Sequence, residues 1–70
     1  MDNLKNNIRV QRAIKNITQE ELAEAIGVTH KTVNTIENGK FVPSTILAIK
    51  MARYFGIPVE ELFELADDEA

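Results

Sequence analysis

The stretch Ile17-Thr-Gln-Glu-Glu-Leu-Ala-Glu-Ala-Ile-Gly-Val-Thr-His-Lys-Thr-Val-Asn-Thr-Ile-Glu-Asn-Gly39 decides the fold. Thr18 is followed three residues later by Glu21, the capping-box spacing that starts a helix by satisfying two free backbone N–H groups reciprocally. Leu22, Ala23 and Ile26 then share one helical face, and Gly27 stops the helix. Thr29 caps a second helix whose inward residues are Val33 and Ile36, and Asn38-Gly39 ends it, since glycine enters the left-handed region without penalty. Residues 19–38 therefore read as two helices joined by a tight turn. Ala23 is small enough to let the second helix approach, and Val28 fills the corner between them.

Working outward, apolar residues recur at helical spacing and no stretch alternates long enough for a central strand. A first helix is predicted over residues 5–15, with Leu4, Ile8, Gln11 and Arg12 on its inner side. Ser44, just after Pro43, caps a fourth-position helix with a core stripe of Ala48, Met51, Ala52 and Phe55, and Gly56 ends it. Ile46 lies nearly opposite that stripe, beside Lys50 and Arg53. A last helix is predicted from Val59 to Leu65, with Glu60 and Glu61 suiting the dipole of its first turn and Leu62 and Phe63 apolar. Residues 66–70 read as a frayed acidic end. The expected architecture is all-α, with five helices.

Seventy residues, of which 44% are hydrophobic, fit one small domain spanning 1–70. A chain this short buries only about 60% of its unfolded surface, so modest stability is expected. Without cysteine there is neither a disulfide nor thiolate chemistry, and one histidine makes a protein zinc site a poor expectation. The apolar runs are too short for a membrane span, so a cytoplasmic location without membrane association is expected. The net charge of −3 is unevenly placed. Residues 60–70 hold Glu60, Glu61, Glu64, Asp67, Asp68 and Glu69, whereas residues 1–59 carry eight basic and five acidic groups and are net positive. No nucleophile with a base, metal cluster or phosphate-cradling glycine loop is visible. An enzyme is therefore not expected, nor a cofactor, a metal or a small-molecule ligand.

The helix pair at 19–38 presents its second helix as a projecting rod that fits a DNA major groove about 12 Å wide. The same spacing also suits any antiparallel helix pair in a small bundle. The segments Ile17 to Ala23 and Val33 to Gly39 resemble the helix-turn-helix of the phage repressor and Cro family of transcriptional regulators, the XRE family. Ile8 to Arg12, Pro43-Ser44 and Gly56 to Phe63 extend the resemblance over nearly the whole chain. Gln11 and Thr45 depart from it, standing where the family commonly has leucine. The resemblance implies a lambda-repressor-like DNA-binding domain. It also implies a phosphate contact by Gln19, and base reading from the outer side of the second helix of the pair, where Thr29, His30, Lys31, Asn34 and Thr35 lie. Lys31 would donate to guanine O6 and N7, and Asn34 would read adenine. Thr32 is ambiguous between base contact and packing. Asn38, Lys40, Ser44 and Thr45 would meet phosphates.

Three further expectations follow from the family pattern. Arg12 and Glu37 match positions that often form an ion pair, which would be partly buried and fix the angle of the base-reading helix. Regulators of this kind commonly pair so that two recognition helices enter successive grooves. A twofold homodimer on double-stranded DNA is thus expected, with Leu62, Phe63 and Leu65 at its interface. Met1–Leu4 and Phe63–Ala66 have room to pair as a short antiparallel sheet. The expected function is sequence-specific control of transcription at a near-palindromic operator, by repression or recruitment. The competing reading is a protein-binding helix-turn-helix module such as an antitoxin or a bridging factor.

Overall fold

The computed structural model describes residues 3–66. In chain order these form strand β1 (Asn3–Asn6) and helices α1 (Ile8–Lys15), α2 (Gln19–Ile26), α3 (His30–Glu37), α4 (Thr45–Phe55) and α5 (Val59–Leu62). Strand β2 (Phe63–Ala66) follows. The expectations for Met1, Asp2 and residues 67–70 lie outside the described residues.

The caps read from the sequence are made. Thr18 Oγ1 accepts the Glu21 N–H at 3.0 Å while Glu21 Oε1 accepts the Thr18 N–H at 2.8 Å. Thr29 and Ser44 accept the N–H groups of Thr32 and Leu47. Gly27 takes φ +79° between α2 and α3, where a β-carbon would strain the backbone. The first helix ends at Asn16, which enters the left-handed region at φ 60°, a place asparagine tolerates better than most residues.

Both ends of the chain depart from the expected helices. The first helix begins at Ile8 rather than residue 5, because Asn6 Oδ1 accepts the Ile8 N–H and the residues before it form a strand. The last helix stops at Leu62 rather than Leu65, because Phe63 turns extended (φ −125°, ψ 141°). Their backbone groups find partners in each other. Asn3 pairs with Ala66, Leu4 with Leu65, Lys5 with Glu64 and Asn6 with Phe63 in an antiparallel ribbon. Of the expected pairing, Asn3 and Leu4 are in the ribbon with the expected Phe63–Ala66, and Lys5 and Asn6 extend it.

The core is built by all five helices and the ribbon. Ile8, Leu22, Val33, Ile36, Met51 and Leu62 are each at most 1% exposed. Ala23 is buried beside them, consistent with the close approach of α2 and α3. Ala48 and Phe55, expected inside, are only half-buried, and Phe55 packs edge-on against Tyr54 with ring centroids 5.5 Å apart. Leu62 and Phe63, expected at a subunit interface, are buried within this chain, at 0% and 6% exposure, whereas Leu65 is 64% exposed.

Candidate nucleic-acid interface

The position of α3 is set from behind by charge. Arg12 on α1 reaches Glu37 at the end of α3 with Nε 2.6 Å from Oε2 and Nη2 3.2 Å from Oε1. Its third nitrogen, Nη1, donates to the Ile17 carbonyl at 3.0 Å. The Glu37 side chain is wholly buried and that of Arg12 is 17% exposed. The fork of the guanidinium matches the carboxylate in two places, so the bond fixes an angle as well as a distance. Arg9, which sequence reasoning missed, lies on the solvent side of the same carboxylate at 3.5 Å and donates to Asn38 Oδ1. A second restraint, also missed, is Asn6. Its Nδ2 donates to the Ile36 carbonyl at 3.0 Å and, more loosely, to that of Glu37, holding the last turn of α3 against the ribbon.

Burial alone would push the Glu37 carboxyl upward. Hydrogen bonds from Arg12 and Gln19, with the charges of Arg12 and Arg9, outweigh that and hold it below the ordinary carboxylate range. The folded state therefore binds this proton less readily than the unfolded chain, in which the group has its ordinary value of 4.5. The resulting stability is fully present above that pH and is lost as acid titrates Glu37 through its lower folded value. In urea titrations across pH 2–7, Glu37→Gln is expected to flatten this acid limb. An unchanged limb would assign it to other carboxylates.

The outer edge of α3 carries His30, Lys31 and Asn34, all exposed. His30 borders a shallow notch with Arg12, Thr18 and Gln19, so the starts of α2 and α3 meet at one edge. Gln19 Nε2 lies 3.2 Å from Asn34 Oδ1 and 3.0 Å from Glu37 Oε1, which ties the two helices together through their polar sides. The threonine hydroxyls of this helix are already engaged. Thr35 donates to the Thr32 and Lys31 carbonyls of its own helix, so it is not a spare donor and offers a methyl group instead. Thr29 and Thr32 are joined through their hydroxyls at 3.0 Å, beside the cap in which Thr29 accepts the Thr32 N–H.

Asn38 and Lys40 are exposed just beyond α3. Ser44 caps α4 with its oxygen and keeps its hydrogen to donate. Thr45 borders a different feature, an apolar groove with Leu4, Pro43, Ala48, Ile49, Val59 and Phe63. Phe41 and Val42, between α3 and α4, are 51% and 67% exposed. Two apolar residues falling outside every helical stripe were the sequence signal for them. Among the described residues, no helix is long and apolar enough to cross a membrane.

Among the described residues, five short helices, a tight α2–α3 turn and an uncovered polar edge on a helix locked from behind define a helix-turn-helix DNA-binding class. The Helix-turn-helix family (HTH_3, XRE-type) matches residues 8–62, and the chain belongs to it. It is a transcriptional regulator with a helix-turn-helix DNA-binding domain. It is 46% identical over 66 residues to an uncharacterized HTH-type transcriptional regulator of Methanocaldococcus jannaschii, covering 94% of this chain and 100% of the relative. It is 36% identical over 55 residues to the cryptic phage CTXphi transcriptional repressor RstR of Vibrio cholerae, covering 79% of this chain and 50% of that protein. The restriction-modification controller protein C.AhdI of Aeromonas hydrophila superimposes with a TM-score of 0.73 at 29% identity, over 79% of this chain and 83% of its own.

Proposed function

We propose that the chain is a cytoplasmic, non-enzymatic, sequence-specific regulator. It acts as a twofold homodimer and lays α3 of each copy in the major groove of a near-palindromic operator. The observation that carries this reading is the outer edge of α3. His30, Lys31 and Asn34 are uncovered while Glu37, behind them, is fully engaged. Lys31, Asn34 and His30 would read base edges, with Thr29 and Thr35 contributing contacts through their methyl groups. Asn38, Lys40 and Ser44 would meet phosphates beside them. Repression by obstruction is the simplest outcome for so small a protein, and a phage repressor among its relatives supports it.

The second copy has a surface available. Ile49 (42% exposed) lines the apolar groove with Leu4, Val59 and Phe63, and Leu65 (64%) is the strand partner of Leu4. Burying such side chains is worth about 1.5–3 kcal/mol each. The test combines selection of bound duplexes from a random library with sedimentation of the protein alone. The expected results are a palindromic consensus and a dimer. Ile49→Glu is expected to sediment as a monomer and to lose about a hundredfold in affinity for the full palindrome, through lost avidity. No enriched sequence would overturn the regulator reading, and a dimer that survives Ile49→Glu would overturn this interface.

A further inference from the structure

The apolar groove beside α4 encloses about 230 Å³ between two banks. One bank is α4, where Ile49 lines it, and the other is α5 with the ribbon, where Val59, Leu4 and Phe63 line it. Each bank carries an exposed charge beside its groove residue. Arg53 follows Ile49 by four residues, one turn further along the same face of α4. Glu60 follows Val59 in the single turn of α5, on the side turned away from the buried Leu62. Among the described residues the ion pairs are those that Arg9 and Arg12 make with Glu37, so neither Arg53 nor Glu60 is paired within the described chain.

A positive bank and a negative bank on either side of an apolar floor restrict what the groove can hold. A uniformly acidic partner would meet Glu60, and a uniformly basic one would meet Arg53, each as a like charge. A twofold rotation instead carries the positive bank of one copy over the negative bank of the other. It does so twice, because an isologous interface repeats every contact. The floor is apolar on both copies, and Ile49, 42% exposed, has surface to bury there.

We propose that the partner seated on this groove is a second copy of the chain, with Arg53 of each copy against Glu60 of the other, and that these two charges select which chains can join. The apolar residues supply the attraction, and the charges supply the register and the choice of partner. A chain that lacks the match at either position is refused, whatever its DNA-reading surface. This deepens the homodimer reading proposed above and rests on it.

The test is sedimentation of the full chain without DNA, so that any phosphate contact by Arg53 has no part in it. Arg53→Glu and Glu60→Arg each bring like charges together at two points of a homodimer, and each is expected to weaken self-association at least about tenfold. Mixed in equal amounts, the two variants complement each other at both points, and a heterodimer about as tight as the parent dimer is expected. A chain carrying both exchanges, Arg53→Glu with Glu60→Arg, is expected to pair with itself and to refuse the parent. It has the composition of the parent, so it tests the pairing even where a single variant folds poorly. Raising the salt should shrink the preference for matched chains, since exposed charges are screened. A parent that sediments as a monomer would overturn the dimer reading itself. A parent dimer whose single variants associate as tightly as it does, or fail to recover on mixing, would overturn the charge pairing alone.

Discussion

Arg12→Ala is expected to lower folding stability by about 3 kcal/mol. For a 70-residue chain whose total stability is on the order of 5 kcal/mol, that is a majority of it. The loss has a specific origin. Glu37 is wholly buried, and Arg12 supplies two of its hydrogen bonds along with the neutralising charge. Truncation leaves a carboxylate in the interior and also frees the Ile17 carbonyl. Arg9 cannot substitute, because its side chain is 68% exposed and its nitrogen lies 3.5 Å away. The cost belongs to stranding one partner, not to the worth of the pair. Replacing both residues, as in Arg12→Met with Glu37→Leu, is therefore expected to recover most of the stability while losing the fixed angle of α3. Urea unfolding of the three variants decides the matter. A loss below about 1 kcal/mol for Arg12→Ala would place the pair among ordinary surface salt bridges.

The second large effect concerns salt. With Lys31 and Lys40 of each copy in the proposed dimer neutralising up to about four phosphates, affinity for the selected operator is expected to fall about a hundredfold between 50 and 200 mM salt. The chain as a whole is acidic, at −3, so a reading from total charge would forecast repulsion. Total charge is a poor guide here because six acids sit in residues 60–70 while Lys31 and Lys40 flank the exposed end of the α2–α3 unit. Lys31 and Lys40 should behave differently. Lys31→Ala is expected to relax one base position and cost about 1–3 kcal/mol there, whereas Lys40→Ala should weaken all duplexes alike and reduce the salt slope by about one. Equal slopes in Lys40→Ala and the parent would remove Lys40 from the phosphate set.

These effects were not equally visible in the sequence. The α2–α3 unit was legible because its instructions are local. Thr18, Glu21, Gly27, Thr29 and the Asn38-Gly39 stop each act within four residues, and the structure uses each as its chemistry suggests. The Arg12–Glu37 bond came from family resemblance, since nothing in local spacing joins α1 to the end of α3. What stayed hidden is nonlocal. Leu62 and Leu65 sit three apart, which mimics a helical face, yet Phe63-Glu64-Leu65 alternates just as well, and only a partner strand could decide between them. Asn6 reads as a polar residue before a helix. Its grip on the Ile36 carbonyl exists only once the ribbon has formed. The engagement of Gln19 with Asn34 likewise depends on the angle between α2 and α3, which no single helix encodes.

The ribbon has a kinetic consequence. It joins segments at opposite ends of the described chain, whereas α2 and α3 are sequence neighbours. Closing so long a loop is entropically unfavourable until much of the interior exists, so the strands are expected to zip last, after the rate-limiting barrier. Weakening them would then quicken unfolding and leave the pace of folding almost untouched. The lifetime of the native molecule, more than the speed of its formation, is what those paired strands govern.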